Sequence, residues 1–381
     1  ATMTVNGGSV ITDDFLKLTG GIFVFDGGDF TVEGGTGTFN SSLTYSGPSE
    51  ANQPIFNVEN GADVAVTFAW RVGETAGEFG TTNVNGTGGG NRSTLRGTGG
   101  GGGADLIVGR FGNGVLSVTG GGLADFGDDF IIGNDAGSDG RATISGVGGV
   151  NRSEVLITRA GGNAALNVGR LGTGELNVEN GARLAVGGDG TVGNSAGSVG
   201  TLTIGGSAGG FDATVEIADD FAVGGTLGTP GGTGTVTVND GGALDANEIK
   251  VWTGGRIDIN DGQVSADGNV TVDGGTLNVA SGALALNLSG GALLLNQNGG
   301  TVSGAGSINL GGTELFNQAV VAPGTSAGEL VLKDGLYRQD ATGTLQIELG
   351  GTAAGQFDML AISGSADLGG TLDVELIDGF Q

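Results

Sequence analysis

The order of residues in this chain predicts an all-β solenoid, and three observations carry that expectation. The first is a long internal repeat. Ala104-Asp105-Leu106-Ile107-Val108-Gly109-Arg110 lies over Ala164-Ala165-Leu166-Asn167-Val168-Gly169-Arg170, and the step from Ala104 to Ala164 recurs. The same offset lays Asn91-Arg92-Ser93 over Asn151-Arg152-Ser153, Ala136-Gly137-Ser138 over Ala196-Gly197-Ser198, and Gly172-Thr173-Gly174 over Gly232-Thr233-Gly234. Doubled, it lays Phe56-Asn57-Val58-Glu59-Asn60-Gly61-Ala62 over Leu176-Asn177-Val178-Glu179-Asn180-Gly181-Ala182. Self-similarity of so long a period marks a stacked architecture, in which each unit buries its apolar face only against its neighbours.

The second observation is composition. Of 381 residues 87 are glycine and only 4 proline, yet 37% are apolar, which fits neither a disordered glycine linker nor collagen. Short strands joined by glycine corners remain. The third is alternation: Leu116-Ser117-Val118, Leu176-Asn177-Val178 and Val236-Thr237-Val238 place apolar residues on one strand face and polar ones on the other.

Taken in order, residues 1–55 read as β-rich coils with a loop. Thr2-Met3-Thr4-Val5, Val10-Ile11-Thr12, Phe23-Val24-Phe25 and Phe30-Thr31-Val32 are strands, and their phenylalanines fill a thick first coil or offer a stacking surface. Pro48 and Pro54 mark a loop leaving the stack. Residues 56–244 are the repeating solenoid, with 86–103 a glycine-dense corner. An apolar pair closed by glycine recurs at Gly73, Gly109, Gly133, Gly169, Gly193 and Gly224, in steps of 36, 24, 36, 24 and 31. Each repeat is thus two or three unequal coils. Residues 245–318 keep the rhythm without the period, and the run 283–295 reads as a continuous strand apolar on both faces. Residues 319–381 form a distinct C-terminal segment.

The repeat pattern Val-Gly-Arg, Gly-Thr-Gly-Glu-Leu-Asn-Val, Asn-Gly-Ala resembles that of bacterial autotransporter passengers and exported PEP-CTERM proteins. The stretch from Ala322 to Gly328, with Gln356-Phe357-Asp358-Met359-Leu360 and Leu368-Gly369-Gly370-Thr371-Leu372-Asp373-Val374, resembles the segment that ends many such passengers. The matches cover roughly 56–244 and 319–381. The resemblance implies a right-handed parallel β-helix, exported and located outside the cell or on a bacterial surface. No leader, translocator barrel or Pro-Glu-Pro tail is legible here.

Several chemistries are excluded. The chain lacks cysteine and histidine, so disulfides, Cys/His zinc sites, Ser-His-Asp triads and Cys-His nucleophiles cannot form. A formal charge of −27 disfavours nucleic acid and anionic membrane as partners. No apolar run is long enough to span a bilayer.

The candidate sites are modest. Asp13-Asp14-Phe15, Asp128-Asp129-Phe130 and Asp219-Asp220-Phe221 pair carboxylates before an apolar strand, where turn formation outweighs calcium binding at Asp128 and Asp129, and catalysis comes last. Asn134-Asp135-Ala136-Gly137-Ser138-Asp139-Gly140 looks like a calcium loop, but its counterpart from Asn194 to Gly200 has lost both aspartates, so the corner is structural. Arg110 with Arg170, and Arg92 with Arg152, could bind acidic sugars, although pairing with nearby carboxylates suits so acidic a chain better. Trp70, Trp252, Tyr45 and Tyr337 are too sparse for a sugar-stacking groove, and Thr201-Leu202-Thr203 and Thr235-Val236-Thr237 too intermittent for an ice-binding face. No catalytic, cofactor or metal residue is expected.

The sequence therefore predicts roughly 12 to 18 coils about 4.8 Å apart with exposed strand edges at both ends, since no helical cap is legible. The preferred reading is an extracellular structural protein that assembles with itself, head to tail, into a filament or matrix fibre. A surface-displayed adhesin rod that touches cell-surface glycans is the alternative, and a polysaccharide-degrading β-helix enzyme the third.

Overall fold

The computed structural model describes residues 2–17, 22–99, 104–158, 164–282, 285–324 and 326–380. Among them there is no α-helix, and a 3₁₀ turn at Glu50–Asn52 is the sole helical element. The chain winds as a right-handed parallel β-helix, the hand that right-twisted strands impose on parallel crossovers.

One face is a single sheet of 15 parallel strands, one per coil, running from Thr2–Thr12 through Asn113–Thr119, Asp139–Ser145 and Thr173–Glu179 to Thr371–Leu376. The other strands form two further tracks. The first runs through Asp63–Val66, Thr94–Gly97, Leu123–Phe126 and Glu154–Ile157. The second runs through Trp70–Val72, Leu106–Val108, Phe130–Ile132 and Leu166–Val168. Near the C-terminal end the long strands Ser307–Asn317 and Glu329–Gln339 join both tracks.

Register explains the repeat. Asn57 pairs with Asn83, a separation of 26, and Asn85 with Thr119, a separation of 34, and these two coil lengths then alternate. Each repeat is therefore one short coil and one long one, as in the steps from Asn113 to Asp139 and from Asp139 to Thr173. The longer coil carries an antiparallel hairpin, at Thr87–Gly88 with Asn91–Arg92, at Val147–Gly148 with Asn151–Arg152, and at Ser207–Ala208 with Phe211–Asp212. That hairpin replaces much of the expected glycine-dense corner. Beyond it, residues 100–103 lie outside the described residues.

The interior is a continuous column of Val, Leu, Ile and Phe from all three faces, with Leu116, Val118, Leu176, Val178, Val236 and Val238 fully buried as the alternation predicts. At the N-terminal end Phe39, Phe56, Tyr45 and Trp70 pack edge to face, Phe56 and Trp70 with ring centroids 4.8 Å apart, and Phe30 lies tilted against Phe56 at 5.3 Å. The aromatics therefore fill the first coils.

Two glycine features are required by geometry. Gly114, Gly140, Gly174, Gly200 and Gly234 stack in register, and a Cβ on Gly174 would lie 2.2 Å from Gly169 N and 2.6 Å from Ile132 O. The repeated Asn-Gly dipeptides turn the corner with both residues left-handed, φ 53° and 83° at Asn60 and Gly61, and 53° and 78° at Asn180 and Gly181.

Two local expectations are corrected. Pro54 does not sit in a loop. It opens the strand Pro54–Glu59 opposite Gly28, a position where its missing N–H is tolerated. The apolar run 283–295 is not one strand. Gly290 and Gly291, both at positive φ, break it into Leu286–Leu288 and Leu294–Gln297, with 283–284 outside the described residues.

Candidate functional site: polar ties between coils

The candidate residues form several sets, and each set bonds from one coil to the next. Arg92, on the first hairpin, reaches furthest. Its Nε donates to Gly121 O (2.9 Å), Nη2 to Gly122 O (3.0 Å) and Arg152 O (2.7 Å), and Nη1 to Glu154 Oε2 (2.5 Å). One side chain thus joins its own coil to the two that follow. Arg152 repeats the geometry one period later, donating to Ala182 O (2.6 Å), Asp212 O (2.8 Å) and Thr214 Oγ1 (2.9 Å). Burial holds the Arg152 guanidinium below its ordinary pKa, and it lies 5.4 Å from the Phe211 ring.

Carboxylate pairing therefore holds for half of the four arginines. Arg92 meets Glu154, and Arg110 meets Glu74. Arg152 bonds to carbonyls and a hydroxyl, and Arg170 to Asn134 Oδ1 (3.0 Å), because Asn134 stands where Glu74 stood one period earlier. Arg183 adds a two-pronged pair to Glu216 at 2.9 and 2.6 Å.

Behind the first two hairpins a buried serine pins the chain, and behind the third Ala213 takes its place. Ser93 Oγ donates to Asn85 O (2.8 Å) and accepts from Gly61 N (3.0 Å). Ser153 makes the same pair with Ser145 O (2.8 Å) and Gly121 N (3.0 Å). The role was latent in the repeated Asn-Arg-Ser, although that triplet directed attention to its arginine.

Asp128-Asp129 and Asp219-Asp220 lie at the corner between the two tracks, and Asp13-Asp14 at the corner between the 15-stranded face and the first track. In each, the second aspartate accepts from the following coil: Asp14 from Thr36 N (2.8 Å), Asp129 from Ala165 N (3.0 Å), and Asp220 from Asn247 Nδ2 (2.9 Å) and Glu248 N (3.3 Å). Backbone satisfaction was expected, but within the local turn. The carboxylate instead caps its neighbour, because stacked corners place the next N–H directly above it.

Burial raises the Asp105 and Asp129 carboxyls above the ordinary range, with repulsion from Asp128 adding to both. Asp14, bonded to Thr36 N and Oγ1, is lowered. No group of three or more acidic side chains able to hold a metal forms among the described residues. At the supposed calcium loop Ser138 Oγ donates to Asp135 O (2.7 Å), and Ser195 N donates to Ser198 Oγ (3.1 Å) in the counterpart, so both corners close on themselves.

Trp70, Tyr45 and Tyr337 are core residues. Trp252 Nε1 donates to Thr226 O (2.7 Å), and Lys250 Nζ sits 4.2 Å from its ring. Thr201 and Thr203 face Thr235 and Thr237 on the adjacent coil, but the next rung is Arg256-Ile257-Asp258. A shallow groove of about 440 Å³ beside the first track is walled by Glu216, Asp245 and Asp267.

Asp358 escaped the sequence reading. Almost fully buried, it accepts from Gly328 N (2.9 Å) and Glu348 N (2.9 Å), fastening the stretch after Ala322 to the Gln356–Leu360 stretch.

No protein-family model matches this chain, and no curated relative does. Among solved structures it is similar to the crystal structure of the TibC-catalyzed hyper-glycosylated TibA55-350 fragment, over 87% of this chain and 100% of that one, at 18% sequence identity and a TM-score of 0.33.

Proposed function

We propose that this protein is an extracellular structural rod that lengthens head to tail by stacking the end coil of one copy on that of the next. The observation that carries the reading is the direction of its polar bonds. In a catalytic or binding protein the convergent polar groups face a ligand. Here Arg92, Arg152, Asp129, Asp220 and Asp358 each face a neighbouring segment of the same chain.

Support for lengthening comes from the parallel stack itself, in which each coil accepts a like coil on its edge. Ile11, Leu16 and Ile22 are exposed in the first coils, and Leu368, Leu372, Val374 and Leu376 in the last. A parallel edge beside an apolar face accepts a coil of like cross-section, and a heterologous contact of that kind propagates. The exported, surface or extracellular location follows the resemblance of the repeat to autotransporter passengers and PEP-CTERM proteins.

Sedimentation velocity over a concentration series, with negative-stain microscopy, tests this. Particles should lengthen with concentration, and L372E with V374K should stop the growth without loss of β-structure. Rods of constant length at every concentration would refute head-to-tail assembly. Glycan capture by such rods would favour the adhesin alternative, and release of oligosaccharide the enzyme.

A further inference from the structure

On the second track one inward position reads Val223, Val251 and Val272 in three successive coils and then Asn296, Asn317 and Gln339 in the next three. Asn296 and Asn317 are fully buried and Gln339 nearly so. The amides form a ladder. Asn296 Nδ2 donates to Asn317 Oδ1 (2.9 Å), Asn317 Nδ2 to Gln339 Oε1 (3.3 Å), and Tyr337 Oη to the same Gln339 oxygen (2.6 Å).

Each amide also reaches one coil ahead to a backbone carbonyl. Asn296 donates to Val320 O (2.7 Å), Asn317 to Thr344 O (3.2 Å), and Gln339 to Gly369 O (2.6 Å) and Thr371 O (3.1 Å). Asn296 Oδ1 is buried without a partner, and a Cβ on Gly300 would lie 2.5 Å from it and 2.7 Å from Val272 O, so glycine is required beside the ladder.

We propose that Asn296, Asn317 and Gln339 are the register lock of the C-terminal coils, the residues that determine which strand positions pair. An apolar column tolerates a slide of two residues, since the side-chain period of a strand is two and another apolar residue takes the vacated place. Sliding Ser307–Asn317 by two would put Leu315 opposite Asn296 and leave buried amides unpaired, which is strongly disfavoured. These coils need such a device, because they lack the matched hairpins of the repeat. A single buried asparagine fixes register in coiled coils by the same logic.

The chain has no cysteine, so introduced pairs report register cleanly. Thr301 is the register partner of Val320, whereas Thr301 and Ala322 are diagonal. Adjacent strands at roughly 4.8 Å fall within disulfide reach, and diagonal positions at about 8 Å do not. With the ladder intact, oxidation should close T301C with V320C and leave T301C with A322C open. In the background N296V, N317V and Q339L, the diagonal pair should close as well. N296V alone, read with the same pairs, should give partial closure of the diagonal. Closure of the in-register pair alone in both backgrounds overturns the proposal. So does loss of the solenoid circular dichroism signal in N296V and in the triple variant while the intact ladder keeps it, because the amides would then serve stability and not register.

Discussion

Between Phe79 and Asn239 long and short coils alternate strictly and are matched outside the core, by hairpins that recur once per repeat, arginines that cross coils and aspartates that cap the next corner. Beyond Arg256 the alternation is lost and coil length varies: Thr276 pairs with Thr301, Thr301 with Val320 and Thr344 with Thr371. No hairpin of that kind appears there among the described residues, and matching moves inside, to Asn296, Asn317 and Gln339. The difference teaches that a parallel stack of changing coil length needs polar specification somewhere. A repeated sequence can place it on the surface, where each copy meets its equivalent. A degenerate one places it in the core.

The largest expected effect strikes the glycine column. Gly174→Ala drives a methyl group into the backbone of neighbouring turns and should destabilise the protein by about 4 kcal/mol in urea unfolding. The column runs on beyond the repeat through Gly255, Gly275 and Gly300 and is broken at Ala319, so Gly275→Ala should be as costly as Gly174→Ala, whereas position 319 already holds a methyl group. A mild cost at Gly174 would dismiss backbone crowding as the cause.

Arg92→Ala comes next. It removes four bonds from a side chain only 21% exposed and should cost about 2–3 kcal/mol, mostly from the carbonyls left bare. Arg141, 61% exposed and paired to Asp139 on its own strand, sets the lower bound. Arg141→Ala should change stability by less than about 0.5 kcal/mol. If the two substitutions proved equivalent, the ties would be decoration.

The acidic corner gives a pH signature. Burial raises the folded-state pKa of Asp105, so its carboxyl binds a proton more tightly folded than unfolded. Its ionisation therefore weakens the fold at neutral pH, and the penalty fades as pH falls through the raised value toward its ordinary one, near 3.8. Asp105→Asn should raise the melting temperature at pH 7 by a small amount and lose that advantage near pH 4. A gain of equal size at both values would dismiss the electrostatic cause.

Much of this was legible in the residues alone. The long offset from Ala104 to Ala164, the alternation of Leu116 and Val118, and the Asn180-Gly181 corner report local and near-neighbour physics, and a repeat displays them several times over. Contacts that a single instance makes across coils were not legible. Asp358 bonds to Gly328 N and Glu348 N, which no periodicity links to it, and the ladder at Asn296 and Asn317 hides among ordinary loop-forming asparagines. Pro54 misled because proline usually ends strands, and an opening position at the start of a strand is the exception. The acidic pairs were right in kind and wrong in target, because sequence shows the turn that holds Asp129 and not the coil above it.

Hydrogen exchange read by mass spectrometry on Arg92→Ala tests the tie account most directly. If one side chain binds three turns together, protection should fall in Leu123–Phe126 and Glu154–Ile157 together, the strands beside Gly121, Gly122 and Arg152. Faster exchange confined to the 87–92 hairpin, with both strands protected as before, would contradict it.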